Sequence, residues 1–199
     1  MGSLWTSDYG SGNTGIGRRA LYYNTDGTFN TANGYWALYN NATGDNHTAL
    51  GSYAGYGIIS NTVTTPNTII GAEALYGGSS TPANNTAYDN VAIGYQAMYG
   101  TTGTASVGYA NVAVGNGSLT KNTSGSGNAS LGYRTLYSNT TGSGNTANGY
   151  YALSGNTIGS YNTALGYKAL HANTTGSGNV AVGSGAGYNL TTGTGNIAI

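Results

Sequence analysis

Cysteine is absent from the 199-residue chain, which excludes disulfides and any thiolate metal site. Charge is scarce as well. Charged residues are 5% of the chain, against about 25% in an ordinary soluble domain. Five Lys/Arg balance five Asp/Glu to a formal net charge of zero, so the repulsion that keeps many polar chains unfolded is missing. The cations Arg18, Arg19, Lys121, Arg134 and Lys168 are spread along the sequence and give no basic patch for nucleic acid. No apolar run approaches the roughly 20 residues of a spanning helix, so insertion into a membrane is not expected. Residues Met1 to Trp5 lack the positive flank and apolar run of a signal peptide, and an export signal would have to lie outside this sequence.

What is present is repetition. Glycine supplies 36 residues and tyrosine 19, and the clearest unit is the seventeen-residue run from Asn162 to Gly178, after which the pattern restarts at Asn179. With Asn162 as position zero, copies begin at Asn13, Asn30, His47, Asn67, Asn90, Asn111, Asn128, Asn145, Asn162, Asn179 and Asn196. Position four is Gly in all ten complete copies, from Gly17 to Gly183. A positive-φ turn or a close backbone approach demands that residue. Position two is Ala in eight of eleven copies, position three mostly Ile, Leu or Val, position seven small, and position eight Leu or Met except at Gly55 and Gly187.

This pattern predicts one all-β repeat domain over 1–199, a β-solenoid of about ten 17-residue coils. Each coil is expected to hold two short strands, at positions one to three and around five to nine, separated by the Gly turn. The aliphatic columns at three and eight are expected to form the buried spine. Small Ala columns at two and seven would permit close approach, and Asn columns at zero and eleven would form amide ladders. At about 4.8 Å per coil the stack would make a rod on the order of 50 Å long. The coils within 47–110 are enlarged and hold both prolines, Pro66 and Pro82; insertions of this kind emerge on one face, often a binding face. Incomplete coils stand at 1–12 and 196–199. Their complementarity suggests Leu4, Trp5, Ile197 and Ile199 as assembly ends for head-to-tail stacking into a filament.

No set of residues carries a chemistry. Asp8, Asp26, Asp45, Glu73 and Asp89 fall at different repeat positions, so stacking would not gather them into a carboxylate pair. Asp26 and Asp45 could at most meet in adjacent loops and take a cation. His47 stands in the Asn column and His171 in a Tyr column, and both read as structural substitutions. The chain is therefore expected to be non-enzymatic and to need no cofactor. Tyrosine columns at positions five and nine would stabilise a sheet face at about 0.2 to 1 kcal/mol per stacked pair. The candidate surface for a glycan or surface receptor is the aromatic stripe Trp36, Tyr53, Tyr56, Tyr76, Tyr88, Tyr99 and Tyr109, with Tyr151 a further position-six aromatic. A Thr column at position one, interrupted by Val and Ala, is a weaker basis for ice binding.

Copies such as Asn90 to Gly94 (NVAIG) and Asn179 to Gly183 (NVAVG) resemble the head repeats of trimeric autotransporter adhesins, and also repeats of phage tail and surface fibres. The resemblance covers essentially the whole chain. It implies a left-handed parallel β-roll, three chains side by side as a lateral homo-oligomer, and an exposed adhesive or structural fibre segment. The setting it implies is extracellular, at a cell or virion surface. The coil here is longer than the family's usual unit because of the Asn-Thr-Thr-Gly-Ser-Gly type of loop. Neither a coiled-coil stalk nor an outer-membrane anchor is found in the sequence, and no functional residue carries over.

Overall fold

A computed structural model describes residues 10–58, 66–77, 87–100 and 108–199. They form an all-β solenoid whose strands each occupy the same place in successive coils. These are β1 (Thr14–Ile16), β2 (Thr31–Asn33), β3 (Thr48–Leu50), β4 (Thr68–Ile70), β5 (Val91–Ile93), β6 (Val112–Val114), β7 (Ala129–Leu131), β8 (Thr146–Asn148), β9 (Thr163–Leu165), β10 (Val180–Val182) and β11 (Ile197–Ala198). They make one parallel sheet in sequence order. Register is strict: Thr14 pairs with Thr31, Ala147 with Ala164 and Val182 with Leu165. The enlarged coils keep it too, with Leu50 on Ile70, Ile70 on Ile93 and Ile93 on Val114. Strand register is thus the same on either side of each insertion. Most of their length lies outside the described residues.

Strands β1 to β10 are three residues long and alternate out, in, out; β11 has two residues. Position two is wholly buried at Ala32, Ala49, Ala92, Ala113, Ala147, Ala164 and Ala181. Position three is not part of the spine. Ile16, Leu131, Leu165 and Val182 are 38 to 56% exposed, which corrects the expected burial of that column. The reason is the period of two: only the middle residue can face inward. The core is accordingly thin, built from position two against positions seven and eight, as in Ala164, Ala169 and Leu170. Where position eight is Gly55, space is taken by Ile69 and Ile58, whose methyl ends lie where a Cβ on Gly55 would point. Where Ala gives way to hydroxyls, Ser118, Ser130 and Thr135 bond to one another, Ser118 Oγ donating to Ser130 Oγ at 2.7 Å and Ser130 Oγ to Thr135 Oγ1 at 2.6 Å.

Among the described residues, each coil holds one strand, not two. Positions five to nine form a turn in which residues six and eight take left-handed backbone angles: Arg19 (φ 56°) and Leu21 (55°), Trp36 (59°) and Leu38 (49°), Lys168 (54°) and Leu170 (50°). Such angles cost about 1 to 3 kcal/mol each for residues other than Gly. They are held by two compensations. The position-eight side chain is turned fully inward, as at Leu38, Leu136 and Leu170, which contributes about 1.5 to 3 kcal/mol. The backbone also bonds from coil to coil, Leu21 N to Ala37 O at 3.0 Å and Trp36 N to Arg18 O at 3.0 Å.

Two amide ladders complete the interior, as the Asn columns predict. At position zero each side-chain oxygen, or His47 Nδ1, accepts from the backbone N–H of the next coil's position zero at 2.8 to 3.0 Å, from Asn13 through to Asn196. The side-chain NH2 donates across the coil, Asn145 to Gly159 O at 2.9 Å and Asn162 to Gly176 O at 2.8 Å. At position eleven Asn139, Asn156 and Asn173 donate to the preceding Asn at 2.8 to 3.1 Å and to a Gly carbonyl three residues on. Both columns are buried except at the end members Asn13 and Asn196. A chain with little apolar mass thus fills its centre with hydrogen-bonded amides, of which the Asn41 and Asn173 oxygens lack a partner.

Candidate functional site

The aromatic columns follow directly from the left-handed turn, which points positions five, six and nine away from the core. In the first half of the chain they merge into a continuous ladder. Tyr39 stacks on Tyr56 at 5.3 Å, Tyr56 on Tyr76 at 5.1 Å and Tyr76 on Tyr99 at 5.0 Å, while Trp36 stacks on Tyr39 at 4.7 Å and Tyr53 meets Trp36 edge-on. Arg19 lies 5.1 Å over Tyr22 and 5.8 Å over Trp36. The structure thus brings together Trp36, Tyr53, Tyr56, Tyr76 and Tyr99. Tyr88 and Tyr109 stand apart as their own stacked pair at 4.8 Å. Ring faces in the ladder are spent on one another, and Trp36, Tyr53, Tyr56, Tyr76 and Tyr99 are only partly exposed. Burial, then the neighbouring Tyr99 and Tyr56 phenols, pushes the Tyr76 phenol up; burial and Glu73 do the same to Tyr99.

The second half differs. Position five forms a column of Tyr133, Tyr150 and Tyr167, with stacking distances of 5.1 and 5.6 Å. Position nine is interrupted, because Ser154 stands between Tyr137 and His171 where every other complete coil except that of Thr120 carries a ring. Between the two columns lies a cleft of about 320 Å³ lined by Tyr150, Tyr151, Tyr167, Lys168 and His171. Tyr150 and Tyr167 are about half exposed. His171 Nδ1 sits 2.8 Å from Ser154 Oγ and its ring stacks on Tyr188 at 5.1 Å. Arg134 Nη1 donates to the Tyr151 hydroxyl at 3.1 Å and so fixes one wall. Lys168 Nζ lies 5.2 Å over the Tyr167 ring, and a hydrogen bond and charge interaction with that phenol hold the ammonium above its ordinary range.

Most of this cleft lay outside the sequence-derived binding stripe, and two signals could have found it. One is the missing ring at Ser154. The other is that no Asp or Glu occurs after Asp89, so Lys121, Arg134 and Lys168 are unopposed over residues 90–199.

Against family models, curated proteins and solved structures alike, the chain has no match.

The remaining candidates are placed as follows. Ile197 and Ile199 are 76 and 98% exposed, on and just beyond the last strand. Leu4 and Trp5 lie outside the described residues. Asp26 and Asp45 bond to different threonines: Asp45 Oδ1 accepts from the Thr28 backbone N–H and hydroxyl, and Asp26 from the Thr25 hydroxyl. Among the described residues no group of three or more His, Asp or Glu gathers as a metal site.

His47 is a structural part with a pH consequence. It is 1% exposed, its Nδ1 accepts from the Asn67 backbone N–H at 3.0 Å, and its Nε2 is buried without a partner. Burial pushes the imidazole down to about 4, with Asp45 opposing only in part. The neutral ring is the folded form, so its contribution is complete above the ordinary pKa of 6.5 and is lost as pH falls from there to about 4. The expected loss is about 3 kcal/mol over that window. Urea unfolding at pH 7 and pH 4 measures it, and H47N, which restores the ladder amide, should remove most of the difference.

Proposed function

We propose that the chain is a non-enzymatic structural and adhesive fibre segment, displayed at a cell or virion surface, whose rods associate side by side. The observation that carries this reading is the outward face of the sheet. Positions one and three stack in two straight columns there, and Ile16, Leu50, Ile70, Leu131, Leu165 and Val182 stand at least one-third exposed on it. An apolar strip along a rod, broken here at Asn33 and Asn148, is costly in water and marks an interaction surface. Its flatness and exact repeat suit a second copy of the same rod, since every coil offers the same pair of positions. The resemblance to adhesin heads agrees with lateral assembly of three chains. Electron microscopy of the purified chain tests it. Bundled rods of uniform width are expected, whereas discrete single rods would contradict lateral assembly, and rods joined only end to end would favour a filament. The same face carries Thr14, Thr31, Thr48 and Thr68 in register, which supports ice binding as a second reading; thermal hysteresis in a freezing-point assay would be its signature.

A further inference from the structure

We propose that the cleft between Tyr150, Tyr151, Tyr167, Lys168 and His171 binds one sugar ring bearing a carboxylate, such as a uronic acid unit. The inference deepens the adhesive reading by naming a ligand class, and takes only its biological setting from that reading. The cleft occupies positions five, six and nine, around the coil from the sheet face, so rods packed by their sheets would leave it open.

Three features converge on this ligand. The first is room made by a missing ring. Ser154, buried and bonded to the lining residue His171, carries no ring at position nine, and the cleft beside it, about 320 Å³, lies at the lower end of ligand-site volumes and suits one ring rather than an extended chain. The second is an apolar wall with hydroxyls on its edges. The Tyr167 ring stacks on Tyr150 on one side, and the next coil carries Ser184 in its column, so Tyr167 is the last ring of that column and is half exposed. A pyranose presents C–H faces to aromatic rings and hydroxyls to phenols, the amphipathic combination that tyrosine serves well. The third is charge. Lys168 stands over Tyr167 in a stretch of sequence with no carboxylate after Asp89, so its ammonium has no acidic partner there. A carboxylate on the sugar would supply one through a charge-assisted hydrogen bond. His171 is anchored through Nδ1 to Ser154, and its ring face stacks on Tyr188.

The test is a titration of the full chain, followed by tyrosine fluorescence and by amide shifts of Gly149 to Ala172. The probes are glucuronic acid, an oligosaccharide ending in glucuronic acid, the matching neutral glucose compounds, and inorganic phosphate. Saturable binding of the acidic sugars with shifts confined to this segment is expected. Stronger binding of the oligosaccharide would place the ligand at a glycan end, and equal binding would make the free acid sugar sufficient. K168A should weaken binding about tenfold or more, the value of a hydrogen bond to a charged group. K121A removes an equal charge outside the cleft and should leave affinity unchanged. S154Y restores the ring that the repeat calls for, and should fold normally yet abolish binding. Equal affinity for the neutral sugars, equal affinity for phosphate, no saturable binding, or full binding by S154Y would each overturn the proposal. A chain that assembles laterally but ignores these sugars defeats the cleft alone; a single rod that binds them defeats the assembly alone.

Discussion

G149A is expected to lower stability by about 4 kcal/mol. Gly149 has φ +136°, where an L side chain is strained, and an added Cβ would press on the Gly166 carbonyl group, with its carbon at 2.7 Å. The obstacle is backbone, which cannot swing aside as a side chain can. The damage is not confined to one coil, because each repeat is held only by its neighbours. The stack should split, and β9 to β11 should lose amide protection before β1 to β7 do. G185A is the control. It also has a left-handed φ, 69°, but nothing lies within 4 Å of its added Cβ, and other coils place Tyr151 or Lys168 at the same position. Its cost should stay near about 1 kcal/mol. Hydrogen exchange with urea unfolding distinguishes the two.

N145A should cost about 3 kcal/mol by a different route. Asn145 Oδ1 accepts from the Asn162 backbone N–H at 2.9 Å, and its NH2 donates to Gly159 O at 2.9 Å. Alanine leaves the Asn162 N–H buried and unmet and removes one of the two donors to Gly159 O, which keeps that of Asn156, and the gap is too enclosed for the N–H to turn to solvent. T146A, one residue on and exposed, should change stability by less than about 0.5 kcal/mol. The comparison of these adjacent substitutions by thermal unfolding isolates the ladder from strand propensity.

Both effects concern parts that the repeat made legible. Gly at position four and Asn at zero recur with the coil because backbone stacking admits no side chain at four and the ladder needs a side-chain acceptor at zero, which only His47 supplies otherwise, so identity alone revealed their roles. The same logic located the register through the enlarged coils. It failed where geometry is set by residues that do not advertise it. Nothing about Leu38 or Lys168 signals a left-handed backbone, and the run Tyr167 to Leu170 alternates enough to read as a strand. The turn exists because coil-to-coil hydrogen bonds and burial of the leucine outweigh local preference. Leu165 misled for a related reason: an apolar residue recurring at one position reads as core. In a three-residue strand the inward place goes to the middle residue, and the thin coil accepts Ala164 there. The cleft is less legible because the tyrosine columns mark rings that are present, whereas it lies beside Ser154, where column nine has none.

The exposed strip of Leu131, Leu165 and Val182 is the feature on which the functional account turns, and the mass of the protein in solution tests it most directly. Light scattering on the full chain should give an integral multiple of the chain mass, and L131D/L165D, which charges the strip while leaving the core intact, should return a single chain. A wild-type chain that remains single at high concentration, or an assembly that the two aspartates leave undisturbed, would contradict it.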